Sequence, residues 1–197
     1  MPRTATAGRL TPFQSSLKEA LETLETLRDL ETDFLQAVET VHQCLRNGGK
    51  LLICGNGGSA ADSAHIATEF TCRFKEDRRP YPAMALSTDG GLLTAIGNDY
   101  EFQEIFSRQV WAFAKPGDVL IALSTSGKSR NVLSAIEEAR RRQMKSIALL
   151  GKGGGFTAGA ADIDLIVNSG STARIQEAHK FLLHVLCEIV ESALAGE

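Results

Sequence analysis

The sequence predicts an α/β fold in which a five-stranded parallel sheet is flanked by helices and preceded by an N-terminal helical hairpin. Three observations carry this. Short apolar runs of strand length recur at 51–54, 83–87, 119–123, 146–150 and 163–167. Segments of helical period separate them, and strand-helix alternation builds parallel sheets through right-handed crossovers. Before the first strand, two segments carry apolar residues at spacings of three and four.

Taken in order, residues up to about Leu10 read as a loose end. Thr11-Pro12 then opens a helix, a capping residue followed by proline at the first helical position. Phe13, Leu17, Leu21, Leu24 and Leu27 form its apolar stripe. A second helix is expected over 31–46, with Phe34, Val38, Val41 and Leu45 on one side, closing at Asn47-Gly48-Gly49. The apolar face of such a hairpin needs a partner, and a self-associating bundle supplies one. Residues 1–49 are therefore assigned to an oligomerisation hairpin and 50–197 to one structural unit built on the sheet. Between the strands, helices are expected near 60–74, 91–96, 101–114, 129–142 and 172–194.

With 197 residues and a formal net charge of −3, the chain holds one substantial core and lacks the basic footprint of a nucleic-acid binder. Cys44, Cys54, Cys72 and Cys187 stand singly, as buried free thiols do in a reducing compartment. No apolar run is long enough to span a bilayer, and Met1 to Leu10 lacks a signal-peptide core. A cytoplasmic location without membrane partners is the expectation.

Open parallel sheets bind ligands beyond the carboxyl ends of their strands. After the first strand, Gly55-Asn56-Gly57-Gly58-Ser59 leads into a helix, with Asn56 or Ser59 as its cap. His65 and Glu69 then share one helix face, an arrangement also common in exposed ion pairs. After the third strand, Ser124-Thr125-Ser126-Gly127-Lys128-Ser129 precedes a helix. Ser124, Ser126 and Ser129, with Thr125 beside them, would cradle a phosphate, although ordinary capping loops have the same composition. The loop is not a nucleotide P-loop, because Ala122 stands where its first glycine belongs, and no nucleotide cofactor is expected. In the last helix Arg174, Gln176, Glu177, His179, Lys180 and His184 interrupt an apolar pattern. Gln176 and His184 are eight residues apart, about 12 Å along an axis, so they reach one small ligand only from opposite ends.

Together these residues resemble the sugar isomerase (SIS) domain family, and its phosphoheptose isomerase branch in particular. The resemblance rests on Cys-Gly-Asn-Gly-Gly-Ser-Ala-Ala-Asp at 54–62, His65 with Glu69, Thr-Ala-Ile-Gly-Asn-Asp-Tyr at 94–100, the serine loop at 124–129, and Arg174-Ile175-Gln176-Glu177 with His179 and His184. It implies a flavodoxin-like three-layer sandwich and a homotetramer with active sites at subunit contacts. Its substrate would be a phosphorylated seven-carbon sugar. It also implies Glu69 as general base, His184 as acid, and His65, Glu69, Gln176 and His184 as ligands of a possible zinc ion, one per subunit. Asn56, Gly57, Gly58, Asn98 and Asp99 would meet the sugar, Ser59, Glu69 and Gln176 would also bind the substrate, and the serine loop would hold the phosphate. Gly90-Gly91 departs from the family pattern, where Thr-Ser follows the aspartate.

Two other readings share the scaffold. One is a non-catalytic protein associated with the DnaA replication initiator, which lacks the catalytic carboxylate and the last-helix histidine; Glu69 and His184 argue against it. The other is an isomerase for a different phosphosugar.

Overall fold

The computed structural model describes residues 10–195, so the loose end expected before Leu10 lies outside the described residues. Helix α1 spans Pro12–Glu25. Thr11 accepts from the backbone of Gln14 while the Gln14 side chain returns to the Thr11 N–H, a capping box that satisfies two otherwise unpaired donors. A short 3-10 turn, Thr26–Leu30, leads to α2, Glu31–Arg46, whose bounds match the expected ones.

The sheet has the order β2-β1-β3-β4-β5, all parallel, from β1 (Leu51–Gly55), β2 (Ala83–Ala85), β3 (Val119–Ser124), β4 (Lys145–Gly151) and β5 (Ile163–Val167). Alternation along each strand sends side chains to two apolar layers. Leu51, Ile53, Val119, Ile121, Leu149 and Leu165 pack with α2, with α3 (Gly58–Thr71) and with α7 (Thr172–Ala195). Leu52, Cys54, Leu120, Ala122 and Ala148 pack on the other face with α4 (Gly90–Asp99), α5 (Ser107–Phe113) and α6 (Arg130–Arg141). Both faces are covered, which is why the strands read as continuous apolar runs. The inner face of the hairpin belongs to the same core as the sheet: Phe34, Val38, Val41 and Leu45 join the first layer.

Several expectations shift locally. The helix expected over 101–114 divides into a 3-10 turn at Phe102–Glu104 and the short α5. Ile105 and Phe106 both enter the core at the junction, and the Gln109 side chain donates to the Ile105 and Leu86 carbonyls. The edge strand β2 ends at Ala85, where the Thr88 hydroxyl turns back to the Ala85 carbonyl. Gly90-Gly91 opens α4, and the Asp89 carboxylate caps it by accepting from the Leu92 N–H, so the helix start does not depend on the missing hydroxyls. Of the cysteines, Cys44, Cys54 and Cys187 are buried free thiols and Cys72 is exposed. Burial pushes the Cys54 thiol up to about 12. Among the described residues no helix is long and apolar enough to cross a membrane.

Candidate active site

The order β2-β1-β3 reverses the direction of winding between β1 and β3, the switch point beyond whose strand ends open α/β sheets place their ligands. The loops after these two strands, 56–59 and 124–129, therefore lie side by side.

In the first loop Gly57 has φ of 56° and is itself the N-cap of α3, with no side-chain capping bond. Neither Asn56 nor Ser59 plays the expected capping part. A positive φ at Gly57 turns the chain into the helix without a side chain's help, which frees Asn56 for another task. Its amide donates to Asn131 and accepts from it, at 2.9 and 2.8 Å, tying the two loops together. Asn131 was not singled out from sequence. Ser59 is buried at the first turn of α3, while Gly57 and Gly58 are exposed.

In the second loop Ser124 is buried at the end of β3, and its hydroxyl lies 3.0 Å from that of Ser129. The Ser126 hydroxyl accepts from the Lys128 N–H, and Thr125 and Ser126 are half-buried. Gly127, at φ of 61°, packs so closely on the 154–155 backbone that a Cβ would run into the Gly154 carbonyl. Its own carbonyl accepts from the Thr157 backbone and hydroxyl. The loop is thus held from behind, and its hydroxyls converge beside the start of α6, where unpaired backbone donors favour an anion.

Helices α3 and α7 run side by side in the same direction, which resolves the spacing of Gln176 and His184. Gln176 lies against Gly58 at the start of α3 and donates to the buried Asp62 at 2.9 Å. One turn on, Lys180 pairs with the same carboxylate at 3.0 Å. Further along, the His184 Nε2 meets the His65 Nε2 at 2.9 Å, and Glu69 stands 3.4 Å from that His65 nitrogen. Thus His65, Glu69 and His184 gather within a single chain, and Gln176 sits apart from them with Asp62. Lys180 is one of the polar residues noted in the last helix and Asp62 closes the 54–62 motif, but nothing in the sequence pairs them.

The two last-helix histidines have different fates. His179 is fully buried, its Nε2 against the Leu150 carbonyl at 3.1 Å, and burial lowers it to about 4. It is a neutral core residue. His184 is half-buried and stacked on Phe74, with ring centroids 5.7 Å apart. Burial first, and then the facing His65, hold it below the ordinary histidine range.

Among the described residues, no group of three or more His, Cys, Asp or Glu stands ready to hold a metal ion. The donor set fits zinc in part: two imidazole nitrogens and a carboxylate are the ligand types zinc takes, whereas the Gln176 amide is engaged by Asp62. Asn98 and Asp99 are exposed at the end of α4, where Asn98 donates to Asp99 at 2.8 Å; among the described residues no hydrogen bond joins them to either loop.

This pairing of a hydroxyl-lined anion cradle with a carboxylate-imidazole group, on a 2-1-3-4-5 parallel sheet, defines a phosphosugar-handling SIS protein, and the SIS domain family model matches residues 13–151. The chain belongs to the SIS domain family. Within that family, it is 46% identical to the phosphoheptose isomerase of Campylobacter concisus over 196 residues, covering 100% of each chain. It is 51% identical to that of Dechloromonas aromatica over 163 residues, 81% of this chain and 83% of the relative. The structure of phosphoheptose isomerase GmhA from Neisseria gonorrhoeae superposes with a TM-score of 0.86 at 44% identity, covering 90% of this chain and 96% of that one.

Proposed function

We propose that this chain isomerises D-sedoheptulose 7-phosphate to D-glycero-D-manno-heptose 7-phosphate, the first step toward a heptose nucleotide precursor for lipopolysaccharide core or capsule. One observation supports this most: Glu69, His65 and His184 meet in one chain, along the helix that starts at the loop tied by Asn56 and Asn131 to the helix following the serine loop. Near half-identity with phosphoheptose isomerases along the full chain points the same way.

The sugar phosphate sits in the cradle of Ser124, Thr125, Ser126 and Ser129, with Asn56, Gly57 and Gly58 along the sugar. Moving the carbonyl from C2 to C1 requires a proton to leave C1, an enediol to form, and a proton to arrive at C2. Glu69 removes the C1 proton and returns it to C2. His184 supplies a proton to O2 and takes one from O1; an imidazole near its neutral form can donate in this way. Each well-placed proton transfer contributes about 10²- to 10⁴-fold. The anchored phosphate keeps C1 and C2 in register with these groups.

His65, Glu69 and His184 would hold a zinc ion, with Gln176 joining after leaving Asp62. When bound, such an ion stabilises negative charge on the sugar oxygens as a Lewis acid.

We also propose a homotetramer working in the cytoplasm. Phe13, Leu17 and Leu21 form an exposed stripe on α1, with Leu35 and Phe181 exposed nearby, and such faces are normally covered by a partner. Asn98 and Asp99 would then reach the sugar of a neighbouring copy.

The test is a sugar-phosphate panel with products identified by NMR. Sedoheptulose 7-phosphate is the expected substrate, and Glu69→Gln and His184→Ala are expected to stop turnover. A wild-type protein that converts no ketose phosphate would overturn the proposal. Metal analysis of protein prepared without added zinc, paired with a chelator assay, addresses the ion: full activity in metal-free protein excludes an obligatory one.

A further inference from the structure

We infer that Arg78 and Glu191 are positioning residues for the isomerisation: their buried pair fixes the end of α3 that carries Glu69 against the stretch of α7 that carries His184. The inference rests on the assignment of Glu69 and His184 as base and acid.

Glu191 lies two turns beyond His184 on α7, with its side chain 3% exposed. Its carboxylate is fully engaged by the segment that follows α3. One oxygen accepts from the Phe74 N–H at 3.0 Å and Arg78 Nε at 2.8 Å; the other accepts from the N–H groups of Lys75 and Glu76 at 2.8 and 3.2 Å. Burial opposes the charge, but these donors outweigh it and hold the carboxyl below its ordinary value.

Arg78 carries the connection onward. Its Nη2 donates to the Glu69 carbonyl at 2.7 Å and its Nη1 to the Phe70 carbonyl at 2.9 Å. These carbonyls belong to the last turn of α3, where a helix has no N–H of its own to offer. One fork therefore caps α3 at the residue that bears the proposed base. The segment held by Glu191 also places the Phe74 ring on the His184 imidazole. Both halves of the proton-transfer pair thus end on this clamp.

Stability alone is a poor account of it. Desolvating two charges offsets most of their attraction, and well-packed apolar residues often serve the core as well or better. What an apolar pair lacks is direction, whereas Arg78 aims two bonds at the end of the helix bearing Glu69 and is itself held by a carboxylate on the helix bearing His184.

The experiment compares Arg78→Lys, Phe74→Leu and Glu69→Gln in the full chain, with kcat and KM for sedoheptulose 7-phosphate and thermal melting. Lysine keeps a charge for Glu191 but has no planar fork to bridge two carbonyls. Arg78→Lys is expected to lower kcat by about 10- to 100-fold with KM within about threefold, because the phosphate loop is untouched. Phe74→Leu leaves the backbone bonds to Glu191 in place, so it reads the imidazole's placement even if Arg78→Lys folds poorly. It is expected to lower kcat by about three- to tenfold while the protein stays folded at the assay temperature, with only a small fall in melting temperature from the lost ring packing. Loss of activity that only tracks the folded fraction, or wild-type kcat in both variants while Glu69→Gln is inactive, overturns the clamp and leaves the proposed function standing. Normal turnover in Glu69→Gln overturns the assignment beneath both.

Discussion

The reciprocal amide pair between Asn56 and Asn131 makes an asymmetric prediction. Asn131 is 3% exposed, whereas Asn56 is half-buried. Asn131→Ala removes the two inter-loop hydrogen bonds, at 2.8 and 2.9 Å, and leaves Asn56 where water can reach it. It also removes the bond that Asn131 accepts from the Val132 N–H at 3.0 Å, but that N–H keeps the Ser129 carbonyl as a partner, so this loss is small. At about 1 kcal/mol net for each inter-loop bond, the cost is about 2 kcal/mol. Asn56→Ala removes the same two bonds but strands the buried Asn131 Nδ2 donors, while its Oδ1 still accepts from the Val132 N–H. Losing a partner in that way adds a desolvation penalty of about 1 kcal/mol or more, for a total of about 3 kcal/mol. The double variant should cost less than the sum, with a coupling of about 1 to 2 kcal/mol. Urea unfolding of the wild type, both single variants and the double variant measures all these quantities. Because the pair spaces the loop proposed for the sugar from the one proposed for the phosphate, KM should also rise by about tenfold in Asn131→Ala. Equal costs for the two single variants, or additive costs within about 0.5 kcal/mol, would refute the reasoning.

Two further predictions address stability and assembly. His179 is held down to about 4 from an ordinary 6.5, so above pH 6.5 it is neutral folded or unfolded and contributes no pH dependence. Below 6.5 the unfolded chain takes up a proton that the core refuses, and stability falls by about 1.4 kcal/mol per pH unit until pH 4. His179→Gln keeps a donor for the Leu150 carbonyl and should flatten that slope in urea unfolding between pH 4 and 6.5; an unchanged slope would place its origin elsewhere. If the proposed tetramer forms through the exposed α1 stripe, Leu17→Glu should give smaller species by light scattering and lower activity, whereas an unchanged mass would remove α1 from the interface.

The fold was legible because its signals are local. Apolar runs buried on both faces announce parallel strands, and the bounds of α2 and β5 agree with their sequence periodicity to the residue. The two loops were legible because glycines and hydroxyls cluster at strand ends. The polar partners that tune the site were not. Asn56 with Asn131, Asp62 with Gln176 and Lys180, and Arg78 with Glu191 each join residues far apart in the chain. No periodicity marks such pairs. The capping of α3 was misread for a related reason: a glycine at positive φ starts that helix, and Asn56 is drawn away by a residue on α6.

The shared direction of α3 and α7 sets a length for the substrate. Gly58 opens α3 beside the two loops proposed for sugar and phosphate, and His65 stands seven residues later, about 10 Å along the axis. On the proposed roles, the anchor and the chemistry are separated by the length of a helix segment that packing keeps rigid. A seven-carbon ketose carries its phosphate at the end opposite its C1–C2 carbonyl, so it can span that gap in an extended form. Removing one carbon while the phosphate stays in its cradle pulls the reacting carbons back by on the order of 1 Å. A displacement of that size can cost about 10²-fold in rate. Ketose phosphates of seven, six and five carbons should therefore lose kcat steeply in that order, while their inhibition constants as phosphate-anchored competitors stay within about tenfold. Equal kcat across the three lengths would mean that Glu69 and His184 are not placed by distance from the serine loop.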